Sequence, residues 1–133
     1  DRHRKLINIE EIEEIARDRG FHICYPEDLP FRKQLQIVRG ATHVMAPEGS
    51  AIFLAFFARR GTKLLCLDHP FVEKSAFVEA LFRELQIETV LVTGNCVRED
   101  SLFSRFSDYV IDPSDVRRVL AEWKSAPARS RSE

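Results

Sequence analysis

No stretch of this sequence approaches the ~20 consecutive apolar residues that a bilayer span requires, and its opening residues do not read as a signal peptide. Cysteine is scarce: Cys24, Cys66 and Cys96 are odd in number and widely separated, which excludes a disulfide framework and any metal-ligand spacing. Cys24 and Cys66 fall in apolar runs and read as small buried hydrophobes, as in a reducing compartment. Charge of one sign is also missing. A net charge of −1 excludes a general nucleic-acid binder, because phosphate contacts need a basic surface. The one methionine is Met45 and the chain opens at Asp1, so it reads as a piece of a longer product whose preceding part would carry some of any active site.

What is present is a chain of 133 residues, 44% apolar and 31% charged, enough for one domain with a real core. Helix and strand patterns alternate. Asn8 precedes a helical face of Ile9, Ile12, Ile15 and Ala16, with Glu11 placed as in a capping box, and Gly20 ends the helix. Phe21–Tyr25 reads as a strand of aromatic, β-branched and thiol residues. The loop Pro26–Pro30 leads to a helix over 31–39, with Phe31, Leu35 and Val38 inward. Further strands are expected at 43–46, 63–67, 89–93 and 108–111, and further helices at 50–59, 71–85 and 113–123, with one helical turn near 102–106. Residues 1–123 thus form one domain, and the Ser/Ala/Arg-rich residues 124–133 read as a disordered tail. The expected fold is α/β: a Rossmann-like three-layer sandwich around a parallel sheet of about five strands.

The stretch that organises the rest is Thr42–Lys63: a buried strand, the turn Pro47-Glu48-Gly49-Ser50, and an apolar helix from Ser50 to about Arg59. Glycine at 49 permits backbone angles closed to other residues and lets a ligand approach. Ser50 is a candidate cap. Free N–H groups and the positive end of a helix dipole make such a turn an anion site when it lies at the carboxyl end of a strand. The alternative is a tight strand-to-helix connection that binds nothing.

Ordered segments along the chain resemble those of glycosyltransferase family 61, over about residues 4–123. Basic residues before Leu6-Ile7-Asn8 with Glu10-Glu11, then Gly20-Phe21 with Pro26-Glu27-Asp28-Leu29-Pro30-Phe31 and Gln34, resemble its first two segments. Ala41-Thr42-His43-Val44-Met45-Ala46-Pro47-Glu48-Gly49-Ser50-Ala51 resembles its "A-x-x-[IV]-[IV]-G-P-[HE]-G-[AS]-A-L" segment. Gly61-Thr62-Lys63 and the closing Asp108-Tyr109-Val110-Ile111-Asp112-Pro113 complete the series.

The resemblance implies the second half of a GT-B architecture, which holds the donor for inverting transfer of a sugar from a nucleotide-sugar to a glycan or protein acceptor. The first half, from the same protein or a partner chain, would supply acceptor contacts and the general base. It implies diphosphate contacts from Gly49, Ser50 and Ala51 N–H groups beside Pro47, and a cation from Arg4 or Lys5. Asn8, Glu27, Gln34 and Asp68 are further donor-site candidates; Glu48 and His69 are candidates for chemistry. Each has an ordinary reading too: a solvated tail for Arg4 and Lys5, a helix cap for Asn8, an exposed position for Gln34, a turn residue for His69. No metal and no cofactor is expected, the nucleotide-sugar being a substrate. The implied setting is the bacterial cytoplasm, or the Golgi or ER lumen in a eukaryote.

The sequence departs from the family pattern in places. Glu48 stands where His is common, and a carboxylate beside a diphosphate is repulsive unless it turns to a sugar hydroxyl. Ile52-Phe53-Leu54 replaces Leu and a polar pair, and Cys66-Leu67 replaces Glu-Leu, removing a ribose acceptor. A noncatalytic module with an eroded site is therefore the second reading. A receiver-like domain is the third, weakened by the absence of a strand-end Lys.

Overall fold

The computed structural model describes residues 5–47, 49–70, 76–97 and 108–123. Their centre is a parallel sheet of three strands in the order β1 (His43–Pro47), β2 (Lys63–Asp68), β3 (Glu88–Thr93). The register sets Pro47 opposite Leu67 and Asp68 opposite Thr93, so all three carboxyl ends lie together. β2 is the middle strand, and Leu64 to Leu67 are at most 1% exposed. A continuous apolar run is what a strand covered on both faces requires.

Strand alternation distributes the core into two layers. Met45, Leu65, Leu67 and Val92 face α1 (Ile9–Asp18) and α4 (Pro113–Glu122), which contribute Ile12, Ile15, Val116, Val119 and Leu120. Ala46, Leu64 and Cys66 face Ile52 and Ala55 of a 3₁₀-helix (Ser50–Phe57) and Phe82 of α3 (Ala76–Glu84). Phe82 stacks on Phe56 with ring centroids 4.6 Å apart. Helices therefore cover both faces, and α2 (Phe31–Gly40) packs beside the 3₁₀-helix with Val38 buried; Phe31, expected inward, is instead 57% exposed, its ring edge-on to the exposed Phe57. Among the described residues, no helix is long and apolar enough to cross a membrane.

Among the described residues the parallel sheet has three strands, where about five were expected. The last strand, β5 (Tyr109–Val110), pairs antiparallel with β4 (Asn95–Cys96), and Leu6 bridges parallel to Tyr109. Gly94 makes this side sheet possible: a Cβ there would run into the Val110 carbonyl oxygen, so only glycine lets the two backbones meet. Residues 21–25, expected as a strand, form none and pair with no strand among the described residues. The Phe21 N–H is taken by the Ala16 carbonyl at the end of α1, and the Tyr25 hydroxyl donates to the Glu13 carboxylate, so both ends of the segment are tied to α1 instead of β1.

The helix expected over 50–59 is a 3₁₀-helix. Ile52, Ala55 and Ala58 recur every three residues on the packed side, the period of a 3₁₀ turn rather than of an α-helix. The expected turn at 102–106, the start of the helix over 71–85 and the tail 124–133 lie outside the described residues.

Candidate functional site

The chain bends where β1 ends. Gly49 has φ +134° and ψ −165°, a region that only glycine occupies without strain. It is exposed, and a Cβ on it would meet nothing within 4 Å, so glycine is required by backbone angles and not by crowding. Gly49, not Ser50, is the N-cap of the 3₁₀-helix; its carbonyl accepts from the Ile52 N–H at 3.1 Å, and no side chain caps the helix. The Ser50 and Ala51 N–H groups precede that first bond and have no acceptor inside the helix. Among the described residues, these two N–H groups have no backbone acceptor.

Beside it stand the tips of the other strands. Asp68 and His69 are 6% and 2% exposed. The His69 ring lies edge-on to Tyr109, and its Nε2 is 3.9 Å from Cys96 Sγ. Tyr109 is fully buried and donates its hydroxyl to the Leu67 carbonyl at 3.0 Å, while the Gly94 N–H donates to the Asp68 carbonyl at 2.9 Å. Asp68 and His69 are therefore set in a packed corner between β2, β4 and β5, whereas Gly49 opens to solvent. Tyr109, Gly94 and Cys96, which build this corner, carry no catalytic pattern in the sequence; the one signal is a glycine placed directly after a strand.

Two candidates have structural partners. The Asn8 side chain does not cap α1: its Nδ2 donates to the Ile111 carbonyl at 2.8 Å and its Oδ1 accepts from the Ile111 N–H at 3.1 Å, so it pairs with that residue as another backbone would. Its Nδ2 also lies 3.3 Å from Glu11 Oε1. Gln34 Nε2 donates to the Pro26 and Leu29 carbonyls at 2.6 and 2.9 Å and clamps the 3₁₀ turn that carries Glu27. Lys5 is exposed; its N–H donates to the Asp108 carboxylate and its carbonyl accepts from the Tyr109 N–H, which ties its backbone to β5. Arg4 and Glu48 lie outside the described residues, as do the side chains of Ser50 and Ala51.

A cavity of about 330 Å³ is lined by residues 21–25 and by β1, which is an edge strand among the described residues, and Pro47 lies on its wall. Its lining is mainly apolar, with Ile23, Ile37, Met45 and Leu54 among the residues around it. His43 also lines it, 4% exposed; Thr42 Oγ1 is 2.8 Å from its Nδ1, and its buried Nε2 has no hydrogen-bond partner among the described residues. Burial, then the Lys63 ammonium, holds His43 below the ordinary histidine range, so the ring is neutral at pH 7. Cys66 is buried as expected, but Cys24 is exposed, which corrects its reading as a buried hydrophobe; the partial burial that remains, then Glu27, raises its thiol, which argues against a thiolate nucleophile on this wall. Among the described residues, no group of three His, Cys, Asp or Glu is placed to hold a metal ion.

Residues 1–65 match the model of the family described as Glycosyltransferase 61. Neither the curated proteins nor the solved structures yield a match to this chain.

Proposed function

We propose, from the match of residues 1–65 to the Glycosyltransferase 61 family model, that this chain is the donor-binding part of an inverting glycosyltransferase. The acceptor hydroxyl attacks the anomeric carbon of the nucleotide-sugar as the bond from that carbon to the diphosphate oxygen breaks. The acceptor proton passes to a base, and the nucleoside diphosphate leaves with its charge. The part assigned to this chain is to bind the diphosphate and stabilise that charge. N–H groups fixed before the reaction need no reorganisation as the charge develops.

The observation that carries the reading is the exposed Gly49 bend at the carboxyl end of β1, with Ser50 and Ala51 N–H groups turned out of the 3₁₀-helix ladder. Arg4 or Lys5 would add a cation, and Glu48 would contact a sugar hydroxyl. The acceptor is a glycan or a protein, and a further Rossmann-like half would complete the cleft. Cys66, fully buried on the sheet, offers no acceptor for a ribose hydroxyl. That residue is what favours the second reading, a noncatalytic module.

Calorimetric titration with nucleoside diphosphates tests the proposal. Saturable binding that Gly49→Val weakens at least tenfold supports it. Binding that survives the substitution places the diphosphate elsewhere, and no binding to the wild-type chain supports the noncatalytic module.

A further inference from the structure

The outer side of α2 and of the 3₁₀-helix is charged unlike the rest of the chain. Residues 31–63 hold six lysines and arginines and one acid, Glu48, although the whole chain has a net charge of −1. Lys63 is paired with Glu88 at 3.0 Å. The other five, Arg32, Lys33, Arg39, Arg59 and Arg60, are exposed and form no ion pair among the described residues. Three phenylalanines stand on the same two helices: Phe31, Phe53 and Phe57 are 57, 53 and 43% exposed. Single exposed rings need no explanation, but rings grouped within a polar rim mark an interaction surface.

The group is held in place from below. Phe31 meets Phe57 edge-on with centroids 6.2 Å apart, and Arg39 Nη1 donates to the Phe57 carbonyl at 3.1 Å, which joins α2 to the 3₁₀-helix. Phe53 lies 5.8 Å from Phe56, which stacks on the buried Phe82. None of the three exposed rings lines the cavity beside β1, so this surface is separate from it.

We propose that this face docks on an anionic lipid bilayer, with the three rings at the headgroup boundary and the five cations on lipid phosphates. The inference goes beyond the donor reading and does not rest on it. Charge complementarity names the partner, since five cations without carboxylate partners among the described residues fit a surface dense in negative charge. Basic residues around exposed apolar side chains are the pattern of helices that lie in a membrane interface. Phenylalanine has no polar atom, so its ring gains only by leaving water, and a lipid phase accepts it without a matching socket. Arginine and lysine stems lie along that apolar surface while their heads reach the phosphates. An acidic protein would need sockets shaped for all three rings. A nucleic acid would need stacking platforms, but Phe31 and Phe57 stand at 84° to each other and share no plane for successive bases. The 3₁₀-helix that carries Phe53 and Phe57 starts at the Gly49 bend, so docking on this face brings that bend within a helix length of the bilayer.

The test is cosedimentation of the full chain, without nucleotide, with vesicles of phosphatidylcholine alone and of equal parts phosphatidylcholine and phosphatidylglycerol. The inference predicts binding to the anionic vesicles that weakens as salt is raised, and little to the neutral ones. Arg59→Glu with Arg60→Glu should weaken it at least about tenfold, and Phe53→Ser should weaken it at unchanged charge. Arg117→Glu, on α4 across the sheet, should leave it unchanged, and circular dichroism checks that each variant keeps the fold. No binding to anionic vesicles overturns the proposal, as does an equal loss in Arg117→Glu or full binding by Phe53→Ser. Binding to heparin or single-stranded RNA but not to vesicles would assign the cations to another partner and also overturn it. Because no nucleotide is present, the outcome is independent of whether the Gly49 bend takes a diphosphate, so the two failures are distinguishable.

Discussion

Two glycines show how differently one residue type can be required. Gly49 is held by its angles in open space, and Gly94 by the Val110 backbone against it. Gly49→Ala should therefore cost about 1–3 kcal/mol of strain, or relax the bend locally. Gly94→Ala forces two backbones apart; it should cost more and separate β5 from β4, which thermal unfolding monitored by circular dichroism will resolve. Asn8 makes a similar point about polar side chains. Its amide both donates to and accepts from Ile111, and aspartate can only accept. Asn8→Asp should lose about 1–3 kcal/mol in urea unfolding, with the Ile111 carbonyl left without its donor. That sequence position looked like a helix cap or a ligand contact. Nothing local distinguishes those from pairing with a residue 103 positions away. Gly49, by contrast, was legible, because a glycine between a strand and an apolar helix is a local signal.

At the scale of elements, periodicity served well wherever a face was strongly apolar. α1, α2, α4, β2 and β3 lie within a residue or two of where their patterns put them. It misread two elements for physical reasons. Ser50–Phe57 is apolar nearly all round, so no stripe chooses between periods, and packing of Ile52, Ala55 and Ala58 on the sheet decides for the 3₁₀ form. Phe21–Tyr25 has the composition of a strand, but hydrogen bonds to α1 draw it from β1. The 3₁₀ turn that follows depends on Gln34. Gln34→Ala releases the carbonyls of Pro26 and Leu29 and should cost about 1–3 kcal/mol. It should also speed hydrogen exchange of the Asp28 and Leu29 amides, which close the same turn, while exchange in β2 stays slow.

At the scale of the molecule, the parallel sheet formed by the described residues has one edge at β3 and the other at β1. The latter borders the cavity. His43 reports on that region through pH. Its folded value lies below the ordinary ~6.5, so the unfolded chain takes up the proton first. Stability should therefore be full above pH 6.5 and fall as pH drops below it, by up to about 1.4 kcal/mol per unit, until the folded ring also protonates. Chemical denaturation of the wild type against His43→Gln between pH 5 and 8 checks this: the variant should have the shallower slope. The sequence could place His43 on a strand. It could not show that the neighbouring segment pairs with no strand among the described residues, because the choice rests on contacts with α1.

The central claim is that the Gly49 bend receives a diphosphate, and site-resolved NMR during titration of the intact chain with a nucleoside diphosphate tests it most directly. The account predicts that the amides of Gly49, Ser50 and Ala51 shift together and saturate at a single affinity, ahead of amides in α1 and α4. Saturation with those three amides unmoved, and the largest shifts on another face, would contradict it.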